Sequence, residues 1–222
     1  MFNIAIDGPA GAGKSSIARA AAANLGFIYV DTGALYRTVA LAALKQGLKP
    51  EDKEDIIALL PHIEVSMGFV DGEQRVFLNG EDVSEDIRLP EVSAAASTVS
   101  AIPEVRQFLF DLQRDMAKTN DVLMDGRDIG TTVFPDAELK IFMTADTQVR
   151  AVRRAEEMRA KGMEADTEDV KKNLLERDYI DSHREVSPLS KAADAVELDN
   201  TEMTMEDQMV WLKNLISERF GC

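Results

Sequence analysis

Five short apolar runs punctuate the chain: FNIAI from Phe2, FIYV from Phe27, DVLMD from Asp121, LKIFM from Leu139 and DAVELD from Asp194. Each is rich in Ile, Val, Leu or Phe and only a few residues long, the pattern of a strand buried on both faces. Helical patterns separate most of them, as in KSSIARAAAANLG and TGALYRTVALAALKQG, each closed by glycine. Strands that alternate with helices imply right-handed crossovers and a parallel sheet covered on both sides. The expected class is α/β, a five-stranded parallel sheet flanked by helices.

One stretch breaks the alternation. From Ile63 to Leu78, IEVSMGFVDGEQRVFL predicts two strands around an Asp71-Gly72 turn. NGEDVSEDIR continues it, and two helical segments follow, PEVSAAASTVSAI and PEVRQFLFDLQRDMAKT, each started by a proline. Residues from about 62 to 100 are therefore expected as an insert within one domain spanning 1–222.

Charge narrows the partners. Forty acidic residues against 25 basic give a formal charge of −15, so binding to a nucleic-acid polymer is not expected. Any anion site must be local, made of a few placed arginines and backbone amides. The single cysteine, Cys222, permits neither an intramolecular disulfide nor a zinc cluster, and His62 and His183 stand in no metal-ligand spacing. No signal peptide and no apolar run near 18 residues is found, so no membrane partner is expected and the default location is the reducing cytoplasm.

The candidate chemistry begins at Gly8. The string Gly8, Pro9, Ala10, Gly11, Ala12, Gly13, Lys14, Ser15 fits G-x-x-x-x-G-K-S and falls between an apolar strand and a helix. Glycines let such a loop curl so that successive N–H groups face an anion, and the helix that follows adds its positive end. Lys14 supplies a point charge for the β- and γ-phosphates of a nucleoside triphosphate, and Ser15 a hydroxyl for Mg²⁺. A glycine turn with an exposed lysine would account for neither the spacing nor the context.

Three classes use such a loop. A switch GTPase needs D-x-x-G and N-K-x-D, and neither occurs. A hydrolase commonly places Glu after the acid that ends a neighbouring strand, whereas VLMDGRD has Gly126 after Asp125. A transferase that excludes water is favoured. Arginines recur beside acids in DTGALYR, DGRDIG and RDYIDSHR, and planar guanidinium forks suit phosphates and base edges. Arg37, Arg127 and Arg177 are expected beside loops at the C-terminal edge of the sheet, where open α/β sheets bind ligands. In RAVRRAEEMRAKGMEADTEDV, Glu156, Glu157 and Arg159 read as a solvated helix face, while Arg150, Arg153 and Arg154 fit either that face or a phosphate site.

Taken together, GPAGAGKSS, DTGALYR, EVSAAASTVSAIPEVR, MDGRDIGTTVFPDAELKIF and RDYIDSHREVSPL resemble the bacterial cytidylate kinases, which phosphorylate CMP and dCMP. The resemblance runs from Asn3 to about Asp199, and DGRDIGTTVFPDA is its most specific block. It implies a five-stranded parallel sheet, an NMP-binding insert, a mobile lid over about residues 148–168, and a monomer. It implies ATP and Mg²⁺ at Gly8–Ser16. Thr32, Arg106, Asp128 and Arg184 would face the pyrimidine, and Arg37 and Arg127, with Tyr36 close by, would hold the monophosphate. Ser97, Arg177 and Asp181 would lie around the ribose, and Arg150, Arg153 and Arg154 would belong to the lid, closing over the triphosphate. Lys14, Arg127, Arg150 and Arg154 would thus carry the charge of transfer. One departure is Ser16, where the family often has Thr; the hydroxyl is kept.

Base chemistry agrees with cytosine, whose N4 amino group donates to a carboxylate such as Asp128, while uracil O4 would meet it lone pair to lone pair. A carboxylate that pins Arg127 or caps a turn is the alternative for Asp128. Another P-loop small-molecule kinase, with UMP or shikimate as acceptor, and a nucleotide-binding regulator without turnover are the rival readings.

Overall fold

The structure, a computed structural model, describes residues 1–70 and 73–221, with only the backbone of Glu73. The Asp71-Gly72 turn and Cys222 lie outside the described residues. The five apolar runs become strands β1 (Asn3–Asp7), β2 (Ile28–Asp31), β6 (Val122–Gly126), β7 (Leu139–Thr144) and β8 (Val196–Asp199). All pair in parallel in the order β2-β6-β1-β7-β8. Ile4, Ala5, Ile6, Leu123 and Met124 are fully buried, as strands covered on both faces require.

Helices α1 (Lys14–Leu25) and α2 (Thr32–Lys45) follow the first two strands. Gly26 ends α1 in the left-handed region at φ 71°, and Asp31 caps α2 by accepting from the Ala34 amide. A short helix α3 (Lys53–Leu59), for which the pattern gave no expectation, precedes a separate antiparallel sheet of β3 (Val65–Val70), β4 (Glu73–Leu78) and β5 (Glu81–Asp82). Helices α4 (Pro90–Val99) and α5 (Pro103–Asp115) each carry proline in the first turn. One apolar core joins α2, α3, β4, α4 and α5 through Leu35, Ile56, Val76, Val92, Val99 and Leu109. A second core lies where α1 and α8 (Met205–Phe220) cover the main sheet.

The polar stretch after β7 forms α6 (Thr147–Ala160) and α7 (Thr167–His183), N-capped by Asp146 and Asp166. Arg37, in α2, and Arg177, in α7, therefore sit within helices rather than beside loops. No helix among the described residues is long and apolar enough to cross a membrane. The strand register decides where the chemistry gathers: Asp31 lies beside Asp125, and Asp7 beside Gly126. Three acids thus lie at or next to the ends of three adjacent strands, at the C-terminal edge of the sheet.

Candidate active site

The glycine loop leaves β1 at that edge. A side chain at Gly8 would place its Cβ 2.0 Å from the Met143 carbonyl oxygen, and Gly11 and Gly13 hold φ at 73° and 87°. Glycine at these positions is a steric requirement. The amides from Gly11 to Ser15 donate to no protein acceptor among the described residues. Unengaged amides at the start of a helix are an arrangement suited to an anion. Lys14 is buried, and its ammonium donates to the carbonyls of Gly8 and Pro9, both at 2.8 Å. Burial, then repulsion from Arg127, pulls its pKa down to about 7, against the pull of Asp125 and Asp7.

Ser15 Oγ donates to Asp125 Oδ2 at 2.8 Å, and Tyr29 OH donates to Oδ1 at 2.9 Å. Burial and the Asp31 charge push Asp125 up to about 6, opposed by Lys14 and by these two hydroxyls. Among the described residues no group of three or more His, Cys, Asp and Glu could cage a metal. A hydroxyl beside one carboxylate is instead the sparse, hard-oxygen set with which proteins meet Mg²⁺ when phosphates supply other ligands. The residues fit that ion. Asp7 serves the neighbouring segment: its two oxygens accept from the amides of Ile129 and Gly130 at 2.8 and 2.7 Å. These amides open a π-type turn over Ile129–Val133 that directly follows Asp128.

Beyond the loop the arginines converge. Arg37 donates to Asp31 Oδ2 at 2.8 Å, while its buried Nε has no hydrogen-bond partner among the described residues. Arg127 donates through Nε to the buried Asp181 at 2.7 Å. Arg177 donates through Nε to Ser97 Oγ at 3.2 Å. Burial, then Arg127, with Arg37 and Arg154 adding, lowers Arg177 to about 10 against the pull of Asp181. The guanidinium of Arg177 therefore feels the charges of three other arginines.

Asp128 is buried between two cations. Arg106 donates to its Oδ2, and Arg184 donates to Oδ1 at 3.0 Å. Arg106 also lies over the Tyr36 ring, 5.4 Å from its centroid. The carboxylate does not pin Arg127, which instead holds Asp181. Thr32 donates to the Asp125 carbonyl at 2.8 Å, so its hydroxyl is oriented by the backbone of β6.

The three arginines of α6 have separate surroundings. The guanidinium of Arg150 is engaged on the Ala145 and Ala10 carbonyls, Asp178 and Thr147. Arg153 caps the carbonyls of Asn200, Thr201 and Met203. Arg154, its side chain 29% exposed, pairs with Glu157 at 2.7 Å on its own helix rather than with the loops that hold the other two. Pattern reading did not single out Asp125, Asp178, Gln74 or Asn200. Asp125 had a signal, as the acid that ends an apolar strand. Asn200, fully buried with Nδ2 on the Ala12 carbonyl at 2.9 Å, had none.

A phosphate loop between the central strand and its helix, facing a cluster of arginines at the edge of a parallel sheet, defines a P-loop kinase of the α/β class. The family model for cytidylate kinase matches residues 4–217. The cytidylate kinase of Lactobacillus johnsonii is 47% identical over 219 residues, 99% of this chain and 95% of that one. That of Caldicellulosiruptor bescii is 50% identical over 206 residues, covering 93% and 91%. The chain belongs to the cytidylate kinase family. A solved structure of an uncharacterized protein from Eubacterium ventriosum shares the fold, with TM-score 0.52, 12% identity and coverage of 98% and 99%.

Proposed function

We propose that this protein transfers the γ-phosphoryl group of ATP to CMP or dCMP, giving ADP and CDP or dCDP. The observation that carries the reading is Asp128, held between Arg106 and Arg184 and next in the chain to Arg127, which with Arg37 and Arg154 presses its charge on Arg177. A polyanion relieves that repulsion, and the unpartnered Arg37 Nε gains an acceptor when a monophosphate binds. Asp128 keeps lone pairs for the cytosine N4 amino group, with Arg106 and Arg184 fixing its orientation.

In this reading Gly8–Ser16 holds the triphosphate, with Lys14 turning from the loop carbonyls to the phosphates. Mg²⁺ would be held through Ser15, with Asp125 behind it, and supplies neutralisation of the phosphate charge. Arg37 and Arg127, with Tyr36 below, place the monophosphate in line; Thr32 borders the base, and Ser97, Arg177 and Asp181 border the ribose. No catalytic base is required, since a phosphate monoester is largely ionised near neutral pH. The barrier is the meeting of two polyanions, so catalysis is positioning plus fixed positive charge in a site closed to water. Arg154 is the helix-α6 residue suited to reach the transferring group, and residues 148–168 would move as its lid. The small sheet and α4, within 62–100, would form the acceptor-side insert of a single domain, acting as a cytoplasmic monomer.

A coupled assay with purified protein and a panel of CMP, dCMP, UMP, AMP and shikimate tests this. Turnover of ATP dependent on CMP or dCMP is expected. Turnover with another acceptor only, or none with any, would overturn it.

A further inference from the structure

The two peptide groups that flank the Ala10 Cα, in the phosphate loop, are gripped by one ion pair. The Ala10 N–H donates to Asp178 Oδ1 at 3.1 Å, and the Ala10 carbonyl accepts from an Arg150 terminal nitrogen at 2.8 Å. That same nitrogen donates to Asp178 Oδ2 at 2.7 Å. Its Nε and other terminal nitrogen donate to the Ala145 carbonyl and Thr147 Oγ1, so four of the five guanidinium donors of a residue only 4% exposed are met, as a buried charge needs to be tolerated. One turn earlier on α7, Leu174 packs with Ala10 and Ala151 in a small apolar cluster.

Such a grip matters because the loop has few other anchors. Lys14 braces Gly8 and Pro9, and Asn200 braces Ala12. Ala10, between them, is held among the described residues from α6 and α7. The same face of α7 carries Asp181, three residues on, which holds Arg127. One helix therefore touches both the loop and an arginine of the opposite substrate site.

We propose that Asp178 is a positioning residue for the donor site. Acting with Arg150, it fixes the phosphate loop at Ala10 in the shape that receives the triphosphate and sets the loop in register with the α7 face that holds Arg127. This rests on the loop being the ATP site. Arg150 then serves the donor by bracing the loop rather than by touching the phosphates.

The test compares full-length wild type with Asp178→Ala and Asp178→Asn. ATP and ADP binding is measured by calorimetry without acceptor, alongside both KM values and thermal unfolding. Asp178→Ala should weaken ATP binding and raise its KM by roughly tenfold or more, the worth of charge-assisted hydrogen bonds, with the KM for CMP changed by less than about twofold. Asp178→Asn keeps an acceptor for Ala10 but no charge for Arg150, and should fall between. If the alanine variant does not fold, the asparagine variant decides. Unchanged ATP affinity in a folded variant, or an equal rise in both KM values that tracks the loss of Tm, would overturn the assignment. Wild type that binds ATP but turns over no CMP would sink the kinase reading while leaving this comparison decisive; wild type that binds no ATP would overturn both.

Discussion

The carboxamide of Gln74 pairs with the backbone of Asp31 at two points. Its Oε1 accepts from the Asp31 amide at 2.7 Å, and its Nε2 donates to the Asp31 carbonyl at 3.3 Å. Gln74 belongs to the small antiparallel sheet and Asp31 to the edge strand β2 of the main sheet. The side chain thus takes the place of a neighbouring strand, just where Asp31 caps α2 and holds Arg37. Gln74→Ala should raise the KM for CMP by roughly three- to tenfold, the worth of one or two neutral hydrogen bonds, and leave ATP binding nearly unchanged. Steady-state kinetics with each substrate varied in turn checks this; an unaltered CMP KM would confine Gln74 to a structural role.

Asp128→Asn keeps the size of the side chain but turns one acceptor into a donor that can meet uracil O4. The expected outcome is a lower ratio of kcat/KM for CMP to that for UMP. Overall activity and Tm should fall too, because Arg106 and Arg184 each lose a charged partner. The ratio is free of that general loss. A folded variant with the wild-type ratio would assign base choice to the two arginines.

Arg127→Ala should cost CMP use about 1.5–3 kcal/mol in kcat/KM, the range of a hydrogen bond to a charged group, with much less effect on ATP binding. It also strips the buried Asp181 of its partner, so Tm should fall. Adding Asp181→Asn removes the uncompensated charge and should recover Tm without recovering CMP use. Recovery of both together would show that Arg127 acts through stability alone.

The stability of the protein should carry a signature of Asp7. Burial pushes this carboxyl up to about 6, against the two backbone amides it accepts. The folded state then binds the proton more tightly than the unfolded chain. Its contribution is present in full below about pH 4, the ordinary carboxyl range, and is lost as pH rises through about 6. At most about 3 kcal/mol is involved. Asp7→Asn cannot titrate and can accept from only one of the amides of Ile129 and Gly130. Urea unfolding should find it less stable than wild type at pH 5, with a smaller gap at pH 7.5. A gap that does not change with pH would contradict the assignment.

The strands, the phosphate loop and the fold class were legible in the chain because each rests on local chemistry. A short apolar run such as VLMD between turn residues fits a strand buried on both faces, and Gly11 and Gly13 answer to the positive φ of their own loop, while Gly8 also makes room for the distant Met143 carbonyl. The family motifs likewise raised the expectation that Arg37, Arg106, Arg127, Asp128, Arg177, Asp181 and Arg184 share one site, without saying how they pair. Pairing was decided by tertiary structure. Strand register set Asp31 beside Asp125, and the packing of α7 brought Asp178 to Ala10 and Asp181 to Arg127, across 168 and 54 residues of chain. Asp128 illustrates the division: its sequence neighbour Arg127 turns to Asp181, while its partners Arg106 and Arg184 come from 22 residues before and 56 after. A buried ion pair is chosen by which charges the folded core leaves without water. Sequence proximity carries no information on that.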